Sequence, residues 1–508
     1  MLKKLRVILS LLFFGLITFL FLDFAGLIAN HRLDWLARIQ FIPALMAHSI
    51  IILLVIIGVT LLFGRIYCSS VCPMGVFQDI VSYVSKKTGK RKKRYRFGKA
   101  KNILRLILVG IVAIGVISHV TVLLGLTDPY SAYGRMVSNI LRPVYLSGNN
   151  LLEKIFTSFD NYTFYRKEIF IADGAAFAVS LITFAGIGFL AWKHGRLYCN
   201  TICPVGTILG LAGKFSLIKI RIDESKCNHC SICETKCKAS CIDSKKQTID
   251  YSRCVDCFNC LGSCKMKAMK FTFGRKPAFG QNVENSTSTD TGKRRFLLTG
   301  IAGIASVPLL MAQNKLNSGK PYLRKNAISP PGALSREHLQ RHCTSCHLCI
   351  DKCPTQVLKP AFTEYGLGGM MQPMMYFEKG YCNYSCTLCS EVCPTGALKP
   401  LTVAEKHLTQ VGQVVFVEDL CVVHTEGTNC GACAEHCPTQ AVTMVPYKNE
   451  LTIPHTNPEI CVGCGGCEYI CPVRPHRAIH VEANLEHKKA KPFDKGEKQK
   501  VEIQDFGF

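Results

Sequence analysis

Residues 227–264 limit what this chain can fold into more than any other stretch. They contain Cys227, Cys230, Cys233 and Cys237, then Cys254, Cys257, Cys260 and Cys264, each run spaced C-x2-C-x2-C-x3-C. Three thiolates on one short loop can hold three irons of a cubane, and the fourth iron needs a thiolate from elsewhere. Where two such runs share a fold, the fourth Cys of each serves the other's [4Fe–4S] cluster. The expected sets are Cys227, Cys230 and Cys233 with Cys264, and Cys254, Cys257 and Cys260 with Cys237. Structural zinc prefers ligand pairs set far apart, and disulfides need an oxidising compartment. Two departures stand out: neither Cys237 nor Cys264 is followed by proline, and Cys241 is a spare thiol.

The chain has 29 cysteines, and they come in groups rather than scattered as in a disulfide framework. After residue 340 lie four further runs. Cys343, Cys346, Cys349 and Cys353 are regular, as are Cys461, Cys464, Cys467 and Cys471. Cys382, Cys386, Cys389 and Cys393 open with a three-residue gap, and Cys421, Cys430, Cys433 and Cys437 with an eight-residue gap. All four end in Cys-Pro, the bacterial ferredoxin ending. The inventory predicts six [4Fe–4S] clusters. Cys343-Thr-Ser-Cys346-His347 also fits the C-x-x-C-H pattern of covalent haem attachment. Cys349 and Cys353 continue the cluster register, so haem is not expected there.

Apolar residues make up 48% of the chain, with a mean hydropathy of +0.19, high for a wholly water-soluble protein. Four stretches are long enough to span a bilayer: 7–29, 43–64, 103–126 and 169–192. The formal net charge is +26. Its densest run is residues 86–105, with eleven Lys or Arg between the second and third stretches. That placement reads as a cytoplasmic loop under the positive-inside rule, not as a nucleic-acid patch. The second and fourth stretches each lead into R-x-Y-C-x3-C-P-x-G, with Cys68 and Cys72 in one copy and Cys199 and Cys203 in the other, 131 residues apart. The membrane part therefore reads as tandem helical hairpins. The four thiols either close a seventh cluster or stay reduced in a structural turn, and the residues leave both open.

The expected fold is a membrane α-helical domain (1–215, four spans in tandem hairpins) with α+β bacterial-ferredoxin-like [4Fe–4S] domains. A two-cluster unit occupies 216–273, a Gly/Ser/Thr/Asn-rich linker 274–292, and a four-cluster unit 313–484, with a polar tail at 485–508 expected to be disordered. Lys293-Arg294-Arg295 before an apolar run to residue 312 resembles a twin-arginine export signal; an ordinary fifth span is the alternative. Either puts the N-terminus inside and the last ferredoxin unit outside. Ionisable residues in spans are functional candidates. Asp23, His48 and His119 all fall at the outer membrane layer, with Asp128 and Tyr130 just beyond. His48, His119 and Asp128 form the candidate quinol-oxidising set, His as proton acceptor. A haem between His48 and His119, interface snorkelling and interhelical hydrogen bonding are the other readings.

On these motifs, residues 1–273 resemble the polytopic membrane subunit of the periplasmic nitrate reductase quinol dehydrogenase, NapH type. Residues 293–480 resemble its twin-arginine-exported four-cluster ferredoxin partner, NapG type, so the chain looks like a fusion of the two. The membrane half is also similar to nitrous-oxide-reductase regulators and copper-reducing assembly proteins. The resemblance implies a multi-pass protein of the bacterial inner membrane that oxidises quinol and delivers electrons to a periplasmic reductase or cytochrome. The alternative is an assembly or regulatory protein that reduces a metal centre. Nucleic acid is not an expected partner, and no nucleotide-binding or nucleophile-elbow motif is present.

Overall fold

The computed structural model describes residues 2–23, 33–88, 95–169, 173–273 and 324–492. The twin-arginine-like segment 293–312 and the linker 274–292 lie outside them.

Two helices are long and apolar enough to cross a bilayer: α1, Leu2–Leu22, and α10, Gly174–His194. The other two expected spans are broken. The second divides into α2, Phe41–Met46, and α3, Ile50–Phe63. The sequence then turns back as α4, Ile66–Ser70, and α5, Pro73–Thr88. The third divides into α6, Asn102–Ile117, and α7, Val122–Thr127. Of the four expected spans, two are therefore single helices of spanning length among the described residues and two are divided. The physical cause is the same at both breaks: His48 and His119 have φ of +54° and +62°. A left-handed residue cannot continue a right-handed helix. Beyond α7, helix α8 (Pro129–Met136) passes through a π-helical turn (Val137–Leu141) into α9, Arg142–Thr157. After α10, the second motif copy forms α11, Leu197–Thr201, and α12, Pro204–Gly213. Ile50, Ile51, Leu54, Ile103, Ile117 and Ile182 face outward, at least 63% exposed each. Large apolar side chains exposed in this number suit a membrane or protein contact.

The two ferredoxin units pack on opposite ends of this helical body. Near the start of α1, Arg6 pairs with Asp79, which also holds Arg196 (2.8 Å) and Lys238 (3.3 Å) of the first unit. Just past the end of α1, Asp23 pairs with Lys352 of the second unit at 3.1 Å. Arg6 and Asp23 are 17 residues apart, about 26 Å at 1.5 Å per residue, somewhat less than the roughly 30 Å hydrocarbon core of a bilayer.

In the first unit, β1 (Ile218–Ile222) pairs antiparallel with β4 (Met269–Phe273), and the two-residue strands β2 (Ile242–Asp243) and β3 (Thr248–Ile249) close a hairpin. In the second, β5 (Leu358–Pro360) pairs with β6 (Pro373–Met375), β8 (Val442–Pro446) with β9 (Thr452–Thr456), and β7 (Thr409–Phe416) with β10 (Ile479–Lys489). Strand β10 runs past the boundary at 485 where the polar tail was expected. Its last pairs, Lys488 with Gln410 and Lys489 with Thr409, follow a bulge after Ala483. The bulge breaks the period-2 pattern by which a strand is recognised.

His487 lies in this extension, its Nε2 2.8 Å from Ser329 Oγ and its buried Nδ1 without a partner among the described residues. Burial pushes its pKa down to about 4 from 6.5. The folded state therefore holds the neutral ring. Its contribution is complete above about pH 6.5 and is lost as pH falls toward 4. Between pH 7 and 5 the second unit should lose about 2 kcal/mol through this one group. His487→Gln should shrink the difference in unfolding free energy between those two pH values; an unchanged difference would remove His487 from the account.

Candidate redox sites

The cysteine runs come together in crossed sets of four. Cys227, Cys230, Cys233 and Cys264 line one hollow of the first unit. Cys254, Cys257, Cys260 and Cys237 line the next, joined by the spare Cys241, whose Sγ is 3.5 Å from that of Cys237. In the second unit, Cys393 faces Cys343, Cys346 and Cys349, while Cys353 faces Cys382, Cys386 and Cys389. Cys471 likewise faces Cys421, Cys430 and Cys433, and Cys437 faces Cys461, Cys464 and Cys467. This is the exchange of fourth ligands that the spacing of the first unit predicts.

The loops carry a conformational signature. In each regular run the second residue after the first Cys and the first residue after the second Cys are left-handed: His229 and Ser231, Asp256 and Phe258, Ser345 and His347, Gly463 and Gly465. This curls the backbone around the sulfurs and turns its N–H groups inward. Ser345 N donates to Cys343 Sγ and Gly463 N to Cys461 Sγ, both at 3.4 Å. The irregular runs lack the turn, since Thr387 and Gly431 have φ of −115° and −123°. At Cys382 a buried side chain supplies what the backbone does not. Lys406 Nζ donates to Cys382 Sγ at 3.4 Å and to the carbonyls of Asn383, at 2.5 Å, and Cys386. Sequence reasoning missed Lys406. Its only signal was a lysine in the segment after an irregular run.

The donors fit a cubane. Each set offers four thiols and no carboxylate or imidazole ligand. Among the described residues no three ligating side chains converge on a point suited to a single ion. Burial pushes the Cys433 and Cys464 thiols up to about 12, so loading them requires proton release. A haem fits poorly at His347. Its Nε2 faces Met371 O at 3.1 Å and its Nδ1 faces Asn139 Nδ2 at 3.4 Å.

The two R-x-Y-C-x3-C-P-x-G motifs also meet. Cys68, Cys72, Cys199 and Cys203 are each at most 4% exposed and lie within electrostatic reach of one another. A pseudo-two-fold relation links the copies. Arg196 Nη1 donates to Cys68 O at 2.7 Å, and Arg65 Nη2 to Cys199 O at 3.4 Å. Cys203 is the N-cap of α12, its Sγ accepting from Gly206 N at 3.3 Å. Helix N-termini favour negative charge, and two buried guanidiniums add to that. The glycine of each motif lies where the copy's own backbone passes. A Cβ on Gly75 would stand 2.2 Å from Cys68 O, and one on Gly206 2.0 Å from Cys199 O. Gly206→Ala should therefore displace the Cys199 turn and lower iron per chain. Gly186→Ala, in open space on α10, is the control that should leave iron unchanged.

Hydrogen bonds link the sets to one another. Arg65 N donates to Asp256, between Cys254 and Cys257, at 2.9 Å, joining the first unit to the Cys68–Cys203 quartet. On the far side Tyr198 Oη donates to Thr127 O at 2.8 Å, and Arg135 Nη1 reaches Ser345 O at 2.9 Å, inside the Cys343–Cys346 loop. Cys382 N donates to Cys464 O at 2.9 Å, joining the two halves of the second unit. The quinol candidates have different settings. His48 and His119 are exposed at the helix breaks, with the His48 ring 6.1 Å from that of His342. Asp128 is buried and caps α8, accepting from Ser131 N at 2.9 Å and Ser131 Oγ at 2.6 Å.

Comparison with known proteins follows the same division. Residues 45–91 and 176–223, which hold the two membrane motifs, match a 4Fe-4S binding domain, and residues 342–397 and 428–474 match a 4Fe-4S dicluster domain. The methylamine utilization ferredoxin-type protein MauM of Methylobacillus flagellatus is 32% identical over 39% of this chain and 88% of its own length. The ferredoxin-type proteins NapF and NapG of Escherichia coli are 28% and 26% identical, over 31% and 37% of this chain and 88% and 85% of their own lengths. No solved structure matches. With crossed thiol sets in its folded units and a MauM relative covered over most of its length, the chain belongs to the ferredoxin-type 4Fe-4S electron-transfer proteins.

Proposed function

We propose that this chain is a multi-pass inner-membrane wire that oxidises quinol and passes the electrons to a periplasmic reductase or cytochrome. The observation that carries this reading is the order of the thiol sets: two at one end of α1, the membrane quartet between, and four at the other end. In this reading the 24 ferredoxin-type cysteines hold six [4Fe–4S] clusters, and Cys68, Cys72, Cys199 and Cys203 hold a seventh. Each bound cluster would carry one electron at a time. The chain's own residues exclude water, point N–H groups and Lys406 at sulfur, and place Arg65 and Arg196 beside the quartet; such hydrogen bonds and charges set cluster potentials. His48 and His119, exposed at the breaks near the second ferredoxin unit, would meet the quinol headgroup and take its protons. Asp128 holds the N-terminus of α8 in place. Reduction of a metal centre by an assembly protein is the alternative reading, favoured by the same membrane motifs.

The test is anaerobic mixing of purified protein with a short-chain quinol. Cluster absorbance should bleach with quinol, and His119→Ala should slow that bleaching at least about tenfold while dithionite bleaching and iron content stay parental. Bleaching by dithionite but not by quinol would favour the assembly reading.

A further inference from the structure

The wire has a second exposed end. Cys230, in the first set of the first unit, is exposed, and Met266, which lines the same hollow, is 50% exposed. The β2–β3 turn abuts this loop: Ser231 Oγ lies 2.8 Å from Ser244 Oγ, and His229 Nδ1 lies 3.2 Å from Ser244 O. That turn carries Lys245 and Lys246, and Lys265 and Lys267 flank Met266; all four are exposed. An apolar side chain beside an exposed thiol, with four exposed lysines close by against the exposed carboxylate of Glu224, has the anatomy of an electron-transfer contact: a small apolar centre with steering charges around it. At the opposite tip, by Cys421 and Cys430, exposed Glu418, Asp419, Glu426 and Glu435 are mixed with exposed Lys448 and Arg474, so that end does not share the basic character of this one.

We propose that the Cys230–Met266 face docks a small acidic one-electron carrier protein on the side of the first ferredoxin unit. This rests on the wire reading above and adds an electron entry that bypasses quinol. The step is a single electron transfer: the carrier loses one electron, the cluster held by Cys227, Cys230, Cys233 and Cys264 gains it, and no proton moves.

The experiment uses the full-length protein in detergent and a reduced plant-type [2Fe–2S] ferredoxin as the acidic probe. Stopped-flow bleaching should be fast at low salt and slow steeply as salt rises. Lys245→Glu/Lys246→Glu/Lys267→Glu should cut the low-salt rate about tenfold or more and flatten the salt dependence, with iron content and dithionite bleaching unchanged. An equal rate in parent and variant, or a rate indifferent to salt, overturns the proposal and leaves these lysines to the membrane surface. Cys203→Ser separates the two readings. It should still take electrons from the probe into the first unit even if the path beyond the quartet is cut.

Discussion

Cys72→Ser/Cys203→Ser is expected to lower iron by about four atoms per chain and to leave the first ferredoxin unit oxidised when quinol reduces the second. Both thiols are buried at the starts of the α5 and α12 half-helices. Serine preserves the size of the turn and its ability to cap a helix, so the fold should survive. What it removes is two of four thiolates in a set already flanked by Arg65 and Arg196. If these thiols only shape a turn, iron content and electron distribution stay parental. Iron analysis with electron paramagnetic resonance of the partly reduced protein reads both.

Asp79→Ala should be among the most destabilising single changes in the chain. The carboxylate is the shared partner of Arg6, Arg196 and Lys238, and the two arginines are 7% and 1% exposed. Removing it leaves buried cations facing one another. Breaking a buried pair in this way costs about 3–5 kcal/mol. Four segments distant in sequence lose their common tie: α1, α5, the start of α11 and the loop after Cys237. Lys270→Ala, which breaks an exposed pair with Asp223, should cost far less, because water screens such a pair. Thermal unfolding of the loaded protein separates the two; similar shifts would deny the network its structural role.

The grouping of the cysteines into sets was legible in the sequence because ligand spacing is local: three thiols of each set belong to one run. The crossed fourth ligands followed from the same rule. The helix breaks were not legible. Hydropathy averages over a window, and one left-handed histidine leaves that average unchanged. His48 and His119 were singled out as ionisable residues in apolar stretches, and the structure shows them as the points where those stretches divide. Lys406 and Asp79 were invisible for another reason. Each acts through residues remote in sequence, 24 and 117 positions away for Cys382 and Arg196, and nothing in their immediate neighbours announces it. Strand β10 was cut short because its bulge hides the alternation.

The claim at the centre is that electrons cross the bilayer through this one chain. Its most direct measurement is transfer into sealed proteoliposomes with ferricyanide trapped inside and membrane-impermeant dithionite added outside, no quinone being present. The account predicts that trapped ferricyanide is consumed with the parental protein and spared with Cys72→Ser/Cys203→Ser. Ferricyanide that persists with the parental protein, although its outward-facing clusters bleach, would contradict it.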